Sequence, residues 1–197
     1  MTYPILTSID HPDYREYSHM MFTLPLVLNA KTVVETGLSK GISTRIFLES
    51  LSKMSSPREL HTYEHQVNRE DCKEAIESIL KLPHSRMWTL HDVDSTDTTW
   101  EGGKIDLLFL DSDHSYLTII KELSVFNSHL SDKAIIFTHD SWPRSDIPAH
   151  MLRNSKYGEI RPTDTYWALK EWGEVNGWKN VLFQYPEGMT LLFREKS

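Results

Sequence analysis

From Thr32 to Leu51 the chain passes from a short apolar run, Thr32-Val33-Val34, through an acid, Glu35, into a loop marked by Gly37 and Gly41. Ser43 and Thr44 then enter a segment whose apolar residues Ile42, Ile46, Phe47 and Leu51 recur at helical spacing. A strand, a glycine loop and a helix N-terminus in that order make a site for a nucleotide-like ligand. Glycine lets the backbone pass close to the ligand, and the helix start presents N–H groups.

The same alternation continues along the chain. Leu60-His61-Thr62-Tyr63 predicts a second strand ending on Glu64. Arg69 to Leu82 predicts a surface helix with Ala75, Ile76, Ile79 and Leu80 on one face, stopped by Pro83. Met87 to Leu90 predicts a third strand, Ile105 to Leu110 a fourth of the kind buried on both faces, and Ala134 to Thr138 a fifth. Tyr116 to Leu130 reads as an amphipathic helix with Ile119, Ile120, Leu123 and Phe126 inward, and Thr163 to Asn176 as another helix. Val181 to Tyr185 and Met189 to Phe193 flank Pro186-Glu187-Gly188 as a hairpin. Ahead of the first strand, residues 11 to 29 predict one leading helix, or two short ones, interrupted at Pro25. Strands alternating with helices imply an α/β fold: a Rossmann-like, doubly wound, mostly parallel sheet with a C-terminal antiparallel hairpin. One domain is expected over 1–197, with a leading helical segment at 1–30 and a long loop at 141–162 of the length that usually carries function.

Composition narrows the partners. A formal net charge of -7 leaves no broad basic field for nucleic acid. Cys72 is the only cysteine, which fits a reducing compartment, and no apolar run approaches the roughly 20 residues of a membrane span. The N-terminus lacks the basic start and apolar core of a signal peptide, so the expected location is cytoplasmic. Oligomeric state is not readable from the sequence.

Acids follow the strands: Glu35, Glu64 and Asp111 directly, Asp94 a few residues after the third, and Asp140 at the end of the fifth. Ligands of open parallel sheets bind outside the carboxyl ends of the strands, so these acids converge on the edge that holds the glycine loop. The loop lacks the Gly-Lys-Ser/Thr ending of a triphosphate site and the three-glycine dinucleotide fingerprint. Glu35, just before the first glycine, would repel a pyrophosphate and suits an ammonium. Glu64 follows Gly41 by about the 20 residues at which an acid reaches ribose hydroxyls. An adenosine ligand with an amino-acid end satisfies these features together, and S-adenosylmethionine is such a ligand.

ETGLSKGIST resembles the first motif of class I S-adenosylmethionine-dependent methyltransferases. YEH is similar to their second-strand acid, LLFLDSDHSY and AIIFTHDSW to their fourth and fifth strand ends, and WALKEW with NVLFQYPEGMTLLF to their last helix and hairpin. The resemblance covers roughly Thr32 to Phe193 and is greatest to small-molecule O-methyltransferases of the cephalosporin-hydroxylase-like and macrocin type. It implies the class I methyltransferase fold. It further implies that Gly37 and Gly41, with Glu35, Thr36, Ser43 and Thr44, surround the methionine end of the cofactor. Glu64 would hold the ribose, Asp94 and Ser95 would lie beside the adenine, and Asp111 would sit near the reactive methyl. In metal-dependent members an acid pair at the fifth strand's end joins the fourth-strand acid around magnesium. Here that pair is His139-Asp140, so Asp111 and Asp140 are the expected metal ligands, while His139 favours a softer, transition metal.

The expected reaction is O-methylation of a small-molecule acceptor, with Asp111 and Asp140 positioning the acceptor and His114 or His139 taking its proton. Asp113 is expected to cap the following helix. Trp142 is the aromatic expected to touch the acceptor, with the lid formed by the long loop and by the leading segment around Tyr14 to Met21. Two rival readings stay open: a metal-dependent hydrolase built on Asp111, Asp113, His114, His139 and Asp140, and a binding module for an adenosine ligand without catalysis.

Overall fold

The computed structural model describes residues 18–55, 57–142, 162–183 and 188–195. Helix α1 (Ser18–Leu28) leads into β1 (Thr32–Thr36), α2 (Ile42–Ser52), β2 (Glu59–Tyr63), α3 (Glu70–Leu80) and β3 (Trp88–His91). Then come β4 (Ile105–Leu110), α4 (Tyr116–Phe126), β5 (Leu130–His139), α5 (Pro162–Asn176), β6 (Lys179–Phe183) and β7 (Met189–Phe193). The seven strands form one sheet in the order β3-β2-β1-β4-β5-β7-β6. Strands β1 to β5 pair in parallel, and β7 lies antiparallel between β5 and β6. The order reverses at β1 and β4, so the crevice at the carboxyl ends of the strands opens there.

The continuous burial of β4 follows from alternation on two faces. Leu107 and Phe109 pack with Met21, Phe47, Leu60 and Ile79, beneath α1, α2 and α3. Leu108 and Leu110 pack with Ile119, Leu123, Phe126, Leu169 and Trp172, beneath α4 and α5. Phe109 anchors the first face, its ring 4.8 Å from that of Phe137 and 5.4 Å from that of Phe47.

The expected architecture holds in each of these layers, with shifted boundaries. Among the described residues the leading segment forms one helix, Ser18–Leu28, that keeps Pro25 inside it. Helix α4 stops at Phe126 because Asn127–His129 tighten into a 3-10 turn, and β5 begins at Leu130 rather than Ala134. The expected lid residues before Ser18, the loop over 143–161 and the hairpin tip at 184–187 lie outside the described residues.

Replacing Phe109 with alanine removes the ring at the centre of one face and leaves a cavity. The expected loss is about 3–5 kcal/mol of unfolding free energy, measured by urea titration with an unchanged slope.

Candidate functional site

A cleft of about 650 Å³ lies over the carboxyl ends of the parallel strands. Gly37, Glu64, Asp94, Ser95, Asp111, His114, His139 and Asp140 all line it. The sequence placed these residues at separate strand ends, and the sheet brings them together.

The glycine loop is built from left-handed residues, Gly37 at φ 85°, Ser39 at 44° and Gly41 at 65°. Gly37 is forced by proximity as well, since a Cβ there would stand 2.2 Å from the Asp111 carbonyl oxygen. Glu64 fastens this loop from the β2 side. Its Oε2 accepts from the backbone N–H of Leu38 at 3.1 Å and of Ser39 at 3.5 Å, and its Oε1 accepts from that of Gln66 at 2.7 Å.

Five residues expected around the methionine end stand behind the wall rather than on it. Glu35 is fully buried, its Oε2 accepting the hydroxyls of Thr44 at 2.6 Å and Thr62 at 2.9 Å, with Ser43 a further partner of the carboxyl. It therefore ties β1 to β2 and to the start of α2, and does not line the cleft. Thr36 is buried too, accepting the Asp111 N–H on both its carbonyl and its hydroxyl. Gly41 faces α3, where a Cβ would lie 2.9 Å from the Ile79 side chain and 3.1 Å from that of Ala75. Ser43 and Thr44 serve Glu35, and both are buried. Burial pushes Glu35 up to about 7 even though three hydroxyls oppose it.

Asp94, expected beside an adenine, is exposed and accepts both the backbone N–H and the hydroxyl of Thr96 at 2.8 Å. These bonds hold its carboxyl below the usual range. Asp113 braces the start of α4 by accepting from Ser115 and Thr118, while Ser115 itself caps the helix.

At the opposite end four groups converge. His139 Nε2 lies 2.5 Å from Asp111 Oδ1, and its Nδ1 lies 3.0 Å from Asp140 Oδ1. His114 Nε2 stands 3.6 Å from Asp111 Oδ1 and 3.6 Å from Asp140 Oδ2. Burial lowers both imidazoles; for His139 the two carboxylates outweigh it and raise the ring to about 10, whereas His114 stays lowered. Asp140 holds its place at a φ of 52°, a left-handed conformation that aspartate tolerates. Helix α5 supports the cluster, with the Thr165 hydroxyl donating to the His114 carbonyl at 3.1 Å. Trp142 is half-buried with its backbone against Gly188, and it is not among the described residues that line the cleft.

The family model of a methyltransferase domain matches residues 34–141, more than half of the chain. The chain belongs to that methyltransferase family. No curated protein matches it in sequence. Solved methyltransferases share its fold. An O-methyltransferase from Bacillus cereus, solved in complex with SAH, superposes at a TM-score of 0.75 with 12% identity, over 99% of this chain and 92% of the other. SAH-bound PaMTH1 from Podospora anserina gives 0.70 with 16% identity, over 99% and 89%. The O-methyltransferase TomG from Streptomyces achromogenes, involved in tomaymycin synthesis and solved with SAM, gives 0.67 with 13% identity, over 100% and 92%.

Within this methyltransferase fold, sequence reasoning missed Glu122 and Thr62. Glu122 is fully buried on α4, and burial pushes it up to about 7 against hydrogen bonds from Ser112, Ser95 and Thr36. The signal was present in the spacing: Glu122 falls beside Ile119 and Leu123 on the inward face, where an acid has no apolar reason to be. Among the described residues, no helix is long and apolar enough to cross a membrane.

The raised value of Glu35 sets a sign for stability. Between 4.5 and about 7 the folded protein binds more protons than the unfolded chain, so stability falls as pH rises through that window. The penalty above it is on the order of 3 kcal/mol. Glu35→Gln keeps an oxygen acceptor and removes the ionisation. Its melting temperature is expected to exceed that of the wild type at pH 8 and to lose that advantage at pH 5. Glu122 titrates in the same sense, so part of the slope remains in the variant.

Proposed function

We propose that this protein transfers the methyl group of S-adenosylmethionine to a hydroxyl of a small molecule. One observation carries the reading: a single cleft is lined by Gly37 and Glu64 together with Asp111, His114, His139 and Asp140. The Cβ-free surface of Gly37 and the carboxylate of Glu64 suit the cofactor's amino-acid and nucleoside parts. Glu64 already accepts two amides on Oε2, but its Oε1 accepts the Gln66 N–H and keeps a second lone pair for a ribose hydroxyl. Asp94 and Ser95 are assigned to the adenine and Asp111 to the neighbourhood of the sulfonium. Solved neighbours with SAM or SAH bound agree with this choice of cofactor. The formal net charge of -7 fits a small acceptor rather than nucleic acid. The lone, buried and unpaired Cys72 fits the reducing cytoplasm.

In the reaction the acceptor oxygen attacks the methyl carbon as the carbon–sulfur bond breaks, turning the sulfonium into a neutral thioether. The proton goes to a base. Both nitrogens of His139 face carboxylates at 3.0 Å or less, so we assign the proton to His114 Nε2, which stands farther from either acid. Asp111 and Asp140 hold the two rings in place.

A second reading concerns a metal. His139 meets Asp111 with one ring nitrogen and Asp140 with the other, so the expected magnesium pair carries a histidine bonded to both acids. The atoms that could share a cation are one oxygen of Asp111 and one nitrogen each of His114 and His139, all within 4.8 Å of one another. That nitrogen-rich set suits a transition-metal dication better than magnesium. When bound, such an ion would lower the pKa of the acceptor hydroxyl.

Thermal-shift titration is expected to show stabilisation by S-adenosylmethionine and S-adenosylhomocysteine and none by NAD, a response to NAD alone being fatal to the reading. Glu64→Ala is expected to weaken S-adenosylhomocysteine by about tenfold or more in calorimetry. After chelation and dialysis, turnover that returns with manganese or zinc but not magnesium supports the second reading. Unchanged turnover supports His114 acting alone.

A further inference from the structure

Glu122 is a buried acid for which the proposed chemistry has no use. It sits beneath the cleft, with its Oε1 accepting the Ser95 hydroxyl at 2.6 Å and the Ser112 hydroxyl at 2.6 Å. The Thr36 hydroxyl is a third partner of the same carboxyl. These three residues come from different strand ends. Thr36 closes β1, Ser112 follows β4, and Ser95 follows β3, which lies beyond β2 at the edge of the sheet. Two of them, Ser95 and Ser112, line the cleft, Ser95 on the side assigned to adenine and Ser112 next to Asp111. A leucine would fill the space among Ile119, Leu123 and their neighbours at no desolvation cost. A buried carboxyl is tolerable only because three hydroxyls compensate it.

We propose that Glu122 is a positioning residue for the cofactor, fixing the distance between the adenine wall and the sulfur wall of the cleft through the Ser95 and Ser112 hydroxyls. The inference rests on the assignment of S-adenosylmethionine to this cleft. Its consequence is selective: a ligand that spans both walls depends on the tether, and a ligand that touches one wall does not.

The test compares Glu122→Gln and Glu122→Leu with the wild type, titrating S-adenosylhomocysteine and adenosine by calorimetry. The glutamine variant retains an acceptor oxygen, and its affinity for S-adenosylhomocysteine is expected within about threefold of wild type. The leucine variant is expected to bind S-adenosylhomocysteine about tenfold more weakly while adenosine changes by less than about twofold. Equal loss for both ligands would reduce Glu122 to general packing, and wild-type affinity in the leucine variant would remove the role altogether. Should the leucine variant not fold, Ser95→Ala, Ser112→Ala and their combination decide the matter. Either single change cuts the tether, so the double variant is expected to lose no more than the worse single, and additive losses overturn the proposal. A wild type that binds no S-adenosylhomocysteine overturns the cofactor assignment itself, and this inference with it.

Discussion

The approach of Gly37 to the Asp111 carbonyl is the contact on which the site depends. There is no room for even one carbon atom between them. The loop after β1 therefore lies directly across the end of β4, and Thr36 accepts the Asp111 N–H on two oxygens. The glycine loop and Asp111 are in effect one piece of backbone. Glu64 adds the third strand by holding Leu38 and Ser39, so the ends of β1, β2 and β4 are tied together. Such a site is preorganised by main chain, with little left to side-chain rotamers.

Much of this was legible in the sequence, for identifiable reasons. Parallel strands buried on both faces write themselves as short apolar runs, and the turn chemistry after each run marks where the ligand edge lies. Asp111, His114, His139 and Asp140 each sit within a few residues of such a run, so their meeting in space follows from topology alone. Boundaries were less legible, because β5 begins with Leu130-Ser131-Asp132-Lys133, a stretch whose polar residues give no strand pattern.

Roles behind the wall were the least legible part. A residue at a strand end can point into the cleft or beneath it, and one-residue periodicity does not say which turn the loop takes. Glu35 looked like a partner for a ligand's ammonium and is instead a buried bolt between Thr44 and Thr62. Gly41 looked like cleft wall and is a helix-packing position against α3. The two histidines also diverge for a reason no sequence pattern contains: His139 lies between two carboxylates at bonding distance, and His114 stands off from both.

The position of β7 bears on how the chain matures. The strand that neighbours β5 is made after β6, although β6 lies farther out. During synthesis the outer edge of β5, which ends in His139, waits uncovered until the last of the described strands has left the ribosome. An exposed strand edge invites pairing with other chains. The His139 end of β5 is thus completed only once β7 has paired with it, and a chain lacking β7 presents a sticky edge there.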